Sequence, residues 1–291
     1  MLYKFVKILS AIISALPKAL RRSIGQGLGR VCWWIVPRKR KKMAVENIIL
    51  ALSVDKEKAL QLAKQSTTRF GKMFLEVLTM SSFSKGEIEE YVHIEGYEHI
   101  VEAVSHGKGA VLATSHSGNW ELLGSTLARH GFPLVGVAQK QTNGDMDRFI
   151  NECRTKAGMK IIYKTGVRDM VKILGEGGII GILMDQDAHK DGVMVEFFGR
   201  LASTPQGAAA LARLKDAPIM PTFITENADG THTLIVHPLV WVEKTSSREE
   251  DILVTTQRLT RIIEEHVRTY PHEWFWLHNR WKNTPTNSQR K

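Results

Sequence analysis

The sequence predicts an α/β fold in which a mostly parallel central sheet is flanked by helices and preceded by a helical N-terminal extension. Two observations carry this prediction. Short apolar runs alternate with segments of helical period over most of the 291 residues, which is typical of strand–helix–strand crossover units. The hydrophobic fraction of 43% is sufficient for a large core and argues against a disordered chain.

The elements follow in order along the chain. One long amphipathic helix is predicted over residues 53–80. Strands are predicted at eight apolar runs: 91–95, 109–114, 133–138, 159–163, 178–184, 194–198, 218–224 and 232–237. Helical periods separate them at 97–106, 119–130, 144–158, 166–176 and 204–215. The last helix is expected to begin with Thr204 as its N-cap and Pro205 as its first residue, because both residue types favour those positions.

The net charge of +10 comes from one end of the chain. Up to Lys42 there are 11 basic residues and no acidic one before Glu46, whereas the other 29 Lys and Arg residues are balanced by 30 Asp and Glu residues. A basic end on a neutral body indicates contact with an anionic surface. It argues against a nucleic-acid groove through the body.

The N-terminal helix has the pattern of a helix that lies in a membrane interface. Its apolar run from Ile8 to Leu16 is interrupted by two serines and is shorter than the roughly 20 residues that a spanning helix needs. Polar residues share one side: Lys4, Lys7, Ser14 and Lys18. Such a helix can lie on anionic lipids with its lysines directed to the headgroups. The alternative is an ordinary amphipathic helix docked on the core.

The following residues extend this segment. Three glycines are predicted to allow close helix packing: Gly25, Gly27 and Gly29. Trp33 and Trp34 stand beside the basic run 38–42, a combination typical of the lipid headgroup boundary. The chain is therefore divided into a membrane-association segment at 1–52, an α/β domain at 53–283 and a flexible tail at 284–291.

Two other classes of site are not predicted. Cys32 and Cys153 are far apart and have no paired or metal-binding spacing, so a disulfide framework is not expected and a reducing compartment fits. The glycine-rich positions 25–29 and 175–178 lack the spacing of a phosphate-binding loop, so nucleotide binding gains no support.

Polar residues follow three predicted strands at their carboxyl ends. His116 follows the strand that ends at 114, and Lys140 follows the one that ends at 138. Asp185, Gln186 and Asp187 follow the one that ends near 184. Because ligands bind beyond the carboxyl ends of parallel strands, these residues are expected to face one crevice.

His116 and Glu121 are the strongest catalytic candidates. In a continuous helix, side chains five positions apart point about 140° apart, so the two can meet only if His116 lies in the turn before a helix. Gly118 or Asn119 would then cap that helix, with Glu121 in its first turn. A carboxylate that binds one ring nitrogen leaves the other basic, and this base could deprotonate a hydroxyl. A capped helix with a satisfied histidine is the alternative.

Several motifs in order carry a family resemblance. They are HSGNWE at 116–121, together with KKMAVENIILAL, GIIGILMDQDAHKDGVMVEFFGR, ASTPQGAAALARLKDAPIMPTF and YPHEWFWLHNRWK. With them the sequence resembles the late acyltransferases of lipid A biosynthesis, the lauroyl and myristoyl transferase family in the lysophospholipid acyltransferase superfamily. It also resembles bacterial phosphatidylinositol mannoside acyltransferases. The resemblance covers nearly the whole chain.

The resemblance implies an enzyme that moves a fatty acyl chain from an acyl carrier protein or CoA thioester to a hydroxyl of an anionic membrane glycolipid, foremost a lipid A precursor. The thioester would be a co-substrate, with no metal or other cofactor and no nucleic-acid partner. The implied location is the cytoplasmic face of the inner membrane. Many relatives have a cleaner transmembrane anchor, so the short N-terminal run here suggests peripheral or monotopic attachment.

The resemblance also assigns roles to residues. His116 becomes the general base and Glu121 its orienting partner, and Asp185 and Asp187 occupy the family's D-x-D position. Three basic residues become candidates for binding the oxyanion or phosphates: Lys140, Arg154 and Arg200. Polar contacts with substrate are expected from Asn119 and Gln186, and contacts with the acyl chain from Phe197 and Phe198.

Other motifs have alternative interpretations. Asp185, Asp187 and His189 could bind a metal, although structural acids at the crevice rim are the favoured interpretation. His232 and His237 are expected to be structural. At least two of Trp274, Trp276 and Trp281 are expected in the core.

The same residues and the basic N-terminus are also compatible with two other functions. A hydrolase would use the same dyad with water in place of the lipid hydroxyl, and a non-catalytic peripheral lipid-binding protein would need only the basic N-terminus.

Overall fold

The computed structural model describes residues 1–284, which form eleven α-helices and nine strands. The helices are α1 (Leu2–Ala15), α2 (Lys18–Ile35), α3 (Arg38–Leu52), α4 (Lys56–Thr79), α5 (Lys85–Tyr91), α6 (Tyr97–Ser105), α7 (Trp120–Arg129), α8 (Gly144–Lys156), α9 (Val167–Gly175), α10 (Gly207–Lys215) and α11 (Arg248–Thr269). The strands are β1 (Val92–Glu95), β2 (Ala110–Thr114), β3 (Leu134–Ala138), β4 (Lys160–Tyr163), β5 (Ile179–Leu183), β6 (Val193–Phe197), β7 (Arg200–Thr204), β8 (Ile219–Glu226) and β9 (His232–Val236). The predicted flexible tail falls almost entirely outside the described residues.

Seven strands form the central sheet in the order β1-β9-β8-β2-β5-β3-β4. Neighbours pair in parallel except at the β8–β9 hairpin, which is antiparallel. The prediction of a mostly parallel sheet flanked by helices is therefore confirmed. Strands β6 and β7 form a separate antiparallel hairpin, in which β7 is a strand that the periodicity did not predict.

The region after β5 differs from the prediction at three points. Thr204 does not cap a helix: it is the last residue of β7, and α10 begins at Gly207 with Gln206 as its N-cap. Helix α11 was also not predicted, although Ser247 caps it by accepting a hydrogen bond from the Glu250 amide.

The core lies on both faces of the sheet. Val111 and Ala113 of β2 contact one apolar cluster, and Ala110 and Leu112 contact the other, as expected from the alternation of side chains along a strand. The first cluster includes Ile48 of α3, which is fully buried. Helix α3 therefore packs directly against the α/β core.

Helices α2 and α4 touch through glycines. A Cβ atom at Gly29 would lie 1.8 Å from the Thr68 carbonyl oxygen, and one at Gly71 would lie 2.2 Å from both the Gly25 carbonyl oxygen and the Gly29 nitrogen. Gly25 and Gly29 thus have the packing role predicted for them. The prediction was wrong for Gly27, where an added Cβ meets nothing within 4 Å.

Helix α1 has one docked face and one exposed face. Val6 and Ile13 are buried in a small cluster with residues of α4 and α8, whereas Phe5, Ile8 and Ile12 are exposed. The lysines were expected to point toward lipid headgroups, but the Lys7 ammonium forms a 2.9 Å ion pair with Glu152 of α8, so it faces the protein. Within residues 1–284, no helix is both long and apolar enough to cross a bilayer.

We predict that Gly71→Ala destabilises the protein by about 1–3 kcal/mol, because its methyl group would force two helix backbones apart. Urea denaturation measures this free energy of unfolding. Gly27→Ala is the matched control on the other helix: it adds the same methyl group in open space and should be stabilising by up to about 1 kcal/mol through helix propensity. Equal effects of the two substitutions would contradict the close approach of α2 and α4.

Candidate active site

The register of two parallel strands brings His116 and Asp185 together. Strands β2 and β5 are neighbours, and Thr114 pairs with Leu183 at their carboxyl ends. His116 and Asp185 each follow their strand's end by two residues, so the backbone delivers both to the same level of the sheet edge. The convergence expected of residues beyond the strand ends occurs here.

Asp185 holds His116 by two hydrogen bonds. The His116 backbone amide donates to Oδ2 at 2.8 Å, and the ring Nδ1 lies 2.7 Å from Oδ1. Burial alone raises the pKa of Asp185, but the charge and hydrogen bonds of His116, with the hydrogen bond of Trp274, outweigh burial and hold that pKa below its ordinary value. Since an ionised carboxylate only accepts hydrogen bonds, Nδ1 is the donor.

The other ring nitrogen of His116 is available as a base. With the proton on Nδ1, the lone pair of a neutral imidazole lies on Nε2. The side-chain amide nitrogen of Gln186 lies 3.3 Å from Nε2 and can donate to it. The His116 and Trp120 rings pack edge to face, with ring centroids 4.9 Å apart. The ring is therefore oriented on three sides, by a carboxylate, an amide and an indole.

The turn that carries His116 requires its small residues. Gly118 has φ of +58°, and a Cβ atom there would lie 1.8 Å from the Ile224 carbonyl oxygen, so only glycine fits. Asn119 is the N-cap of α7 and accepts from the Leu122 amide, which places Glu121 in the first turn as predicted. Arg69 of α4 donates to the carbonyl oxygens of Gly118, at 2.6 Å, and His116, at 3.3 Å; burial lowers its pKa to about 10.

The C-terminal segment after α11 supports the same turn. The Trp274 indole nitrogen donates to Oδ2 of Asp185 at 2.7 Å, so Asp185 is oriented from a second side. The Gly118 amide donates to the Glu273 carbonyl oxygen, and Ser117 forms an isolated β-bridge with Trp274. The motif YPHEWFWLHNRWK thus positions the site. Sequence reasoning did not detect this role, nor that of Arg69.

The predicted contact between His116 and Glu121 is wrong. The Glu121 carboxylate binds Arg154 of α8 with both oxygens, at 2.8 and 2.5 Å. Burial alone lowers the pKa of Arg154, but the hydrogen bonds and charge of Glu121 outweigh it and raise that pKa. Because both are tied to each other, Glu121 does not orient the imidazole, and Arg154 has its Nε and Nη2 donors already in use.

The other basic candidates do not reach His116. Lys140 is exposed beyond β3, and within residues 1–284 its ammonium forms no hydrogen bond or ion pair. The Arg200 guanidinium lies 4.4 Å over the Trp281 ring and contacts Asn47. Neither arrangement indicates binding of the oxyanion or of a phosphate at the imidazole.

The remaining polar candidates separate into two groups. Gln186 contacts His116, as described, whereas the Asn119 amide donates to Glu76 at 2.7 Å, on the α4 side of the turn. Asp187 lies apart from the imidazole: its amide donates to His278 at 2.9 Å, and its carboxylate accepts from Asn283. No three His, Cys, Asp or Glu side chains come together as a metal site in the part of the chain that the structure describes.

The aromatic candidates form core rather than an acyl site. Phe197 and Phe198 were predicted to touch the acyl chain, but both are buried and their rings pack on Trp281. Gly199, with φ of +68°, follows them in the turn between β6 and β7. Trp274, Trp276 and Trp281 are also buried, so the prediction of core packing is confirmed for all three.

A small apolar cavity of about 60 Å³ lies beside the Glu121–Arg154 pair. Gly124, Gly136 and Gly181 contribute to its wall, with Met159 among its lining residues. It is the apolar space beside the first turn of α7.

Comparison with known proteins identifies the family. The model described as bacterial lipid A biosynthesis acyltransferase matches residues 2–283. The phosphatidylinositol mannoside acyltransferase of Mycolicibacterium smegmatis is 28% identical over 225 residues, covering 76% of this chain and 72% of that protein. The lipid A biosynthesis lauroyltransferase of Escherichia coli is 23% identical over 278 residues, covering 94% and 89%.

Among solved structures, the 1-acyl-sn-glycerophosphate acyltransferase of Thermotoga maritima aligns with a TM-score of 0.40 and 12% identity, over 81% of this chain and 96% of that one. The family match spans nearly all of the chain and includes the strand ends, the His116 turn and the C-terminal segment that supports it. The chain therefore belongs to the bacterial lipid A biosynthesis acyltransferase family and is an acyltransferase.

Proposed function

We propose that this enzyme transfers a fatty acyl chain from an acyl carrier protein or CoA thioester to a hydroxyl of a glycolipid of the lipid A precursor class, with His116 as general base. One observation carries the assignment of the base: Asp185 binds Nδ1 of His116, so that the lone pair of the neutral imidazole lies on Nε2. Asp185 thereby replaces Glu121 as the orienting carboxylate.

The proposed reaction uses two proton transfers at Nε2, one to the imidazole and one from it. His116 removes the proton of the acceptor hydroxyl as its oxygen attacks the thioester carbonyl carbon, giving a tetrahedral oxyanion. When the oxyanion collapses, the carbon–sulfur bond breaks, the ester remains on the acceptor, and the thiolate receives the proton from His116. Asp185 stabilises the imidazolium between these steps. The Gln186 amide lies 3.3 Å from Nε2 and would give up that hydrogen bond when the acceptor hydroxyl takes its place.

The substrate classes rest on the relatives. One is named for phosphatidylinositol mannoside and another for lipid A, and both names denote glycolipids. The 11 basic residues up to Lys42 would attract an anionic acceptor and an acidic carrier protein. We keep acyl carrier protein and CoA as alternative sources of the same thioester.

We also propose that the N-terminal helices attach the enzyme peripherally to the cytoplasmic face of the inner membrane. Helix α2 exposes Val31, Trp34 and Ile35, of which Trp34 is 81% exposed, and α1 exposes Ile8 and its neighbours. Exposed apolar side chains beside basic ones suit insertion into the headgroup region of anionic lipids.

His116→Ala is expected to lower acyl transfer roughly 10²- to 10⁴-fold through loss of the base. Asp185→Asn should lower it roughly 10²-fold or more, because an amide no longer selects the Nδ1-protonated tautomer. Transfer is measured in micelles with a labelled acyl carrier protein thioester and a lipid A precursor. A parallel reaction without the lipid acceptor measures the free fatty acid that hydrolysis releases.

His93→Ala and Asp169→Asn are matched controls at exposed positions and should retain activity. Full transfer by His116→Ala would disprove the assignment of the base. Release of free fatty acid in place of acylated lipid by the wild type would show a hydrolase.

The effects of Glu121→Gln and Arg154→Met on the free energy of unfolding are expected to be non-additive. Each should reduce the free energy of unfolding by about 2–4 kcal/mol, because it leaves a largely buried charge unpaired. The double variant should lose little more than either single one, which a double-mutant cycle in stability and activity measures. Additive losses, or an altered pH–rate profile for Glu121→Gln alone, would indicate a separate role for Glu121 at His116.

Ile8→Ser with Ile12→Ser is expected to weaken binding to anionic vesicles roughly 10- to 100-fold, since two exposed apolar side chains lose their transfer free energy. Sedimentation with vesicles at low and high salt measures the partition coefficient. Leu214→Ser, at an exposed position on α10, is the control and should change nothing. If high salt released the wild type completely from the vesicles, its attachment would be purely electrostatic.

A further inference from the structure

Three partly exposed aromatic side chains lie together beside His116. The Trp120 ring packs edge to face with the imidazole, at 4.9 Å between centroids. The Phe70 ring contacts Trp120 at 6.2 Å and Phe275 at 5.1 Å, again edge to face. We call Phe70, Trp120 and Phe275 the aromatic patch. Each keeps part of its surface exposed, and no step of the proposed mechanism uses them.

One residue links the aromatic patch with the backbone of the His116 turn. The Arg69 guanidinium lies 4.5 Å from the centroid of the Phe70 ring, and the same group donates to the carbonyl oxygen of His116. A guanidinium over the face of an aromatic ring is attracted to it. Arg69 therefore fixes the position of Phe70 relative to the base.

The other two rings also stand next to residues that hold the site. Phe275 comes directly after Trp274, whose indole donates to Asp185. Trp120 comes directly after Asn119, the N-cap of α7. The patch is thus assembled from α4, α7 and the segment after α11, which are distant in sequence. The contacts that position the base also position the rings beside it.

The imidazole of His116 keeps a small exposed surface. Its side chain is 18% exposed, whereas that of Asp185 is 2% exposed. Asp185 occupies Nδ1, and the Gln186 amide lies 3.3 Å from Nε2. A hydroxyl that reaches Nε2 must approach through the exposed surface, and the aromatic patch borders this surface through Trp120.

The base by itself does not distinguish water from a lipid hydroxyl. Either can give its proton to Nε2 while its oxygen attacks the thioester carbonyl carbon. With water, the carbon–sulfur bond breaks, the thiolate receives the proton from His116, and the product is a free fatty acid instead of an ester. Because water is far more concentrated than the acceptor, selective transfer requires that water be kept from Nε2.

We propose that the aromatic patch keeps bulk water from Nε2 of His116 and thereby favours acyl transfer over hydrolysis of the thioester. The proposal rests on the proposed function, since it concerns the fate of the same thioester. Phenylalanine rings offer water no hydrogen bond, and the apolar part of a bound substrate can pack on them. With the patch covered in this way, the acceptor hydroxyl is the nucleophile that reaches the base.

Phe70→Ser with Phe275→Ser tests the proposal, because it removes two rings of the patch and leaves Trp120 in place. The measured quantity is the ratio of free fatty acid to acylated lipid, formed in micelles from a labelled carrier-protein thioester and a lipid A precursor. We expect this ratio to rise roughly 10- to 100-fold. Phe74→Ser is the matched control: Phe74 also lies on α4 and is 44% exposed, but it is outside the patch, so the ratio should not change.

Two further variants separate shielding from loss of structure. Phe70→Leu with Phe275→Leu keeps both positions apolar and should retain a ratio near that of the wild type. Adding His116→Ala to the serine variant should abolish the extra hydrolysis, because the unshielded base is its source. An unchanged ratio in the serine variant, an equal loss of transfer and hydrolysis, or extra hydrolysis that persists without His116 would each overturn the proposal.

Chemical modification of His116 distinguishes a failure of this proposal from a failure of the proposed function. Diethyl pyrocarbonate modifies neutral imidazoles, and mass spectrometry of the peptides gives the rate at each histidine without any turnover. We expect Phe70→Ser with Phe275→Ser to raise the rate at His116 several-fold and to leave the rate at the exposed His93 unchanged. This increase would support shielding even if the wild type transferred no acyl chain. An unchanged rate at His116 would overturn the shielding itself.

Discussion

The parallel pairing of β2 with β5 is the constraint on which the site depends. It places the ends of two strands side by side, so that the residues two positions beyond each end, His116 and Asp185, meet at 2.7 Å. Neither side chain would have this geometry in an isolated loop. A shift of the register would separate the imidazole from its carboxylate, and the core residues on both faces of β2 oppose such a shift.

The His116 turn is held in place largely by buried charge. Asp185 is buried and Arg69 is partly buried, and each binds the turn through two hydrogen bonds. Buried charges are costly unless they are paired in this way. Much of the chain, from α4 to the segment after α11, therefore contributes to one short turn. Such preorganisation suits a general base, whose orientation must persist as the proton moves.

The N-terminal helices connect this site with the exposed apolar surface that we propose meets lipid. Glycines allow α2 to approach α4 closely, and α4 carries Arg69, which contacts the His116 turn. Helix α2 in turn exposes apolar and basic side chains, among them Trp34 and Arg30. Helix α4 thus contacts both α2 and the His116 turn.

The sequence by itself determined the α/β class, most element positions, the strand-end location of His116 and Asp185, and the family, because periodicity and ordered motifs are local properties. It could not determine which carboxylate serves the histidine. Glu121 is close in sequence, and Asp185 is 69 residues away; only the adjacency of β2 and β5 makes the distant residue the neighbour. The inward packing of Phe197 and Phe198, and the support from Arg69 and Trp274, likewise depend on contacts between distant segments, which the tertiary structure alone decides.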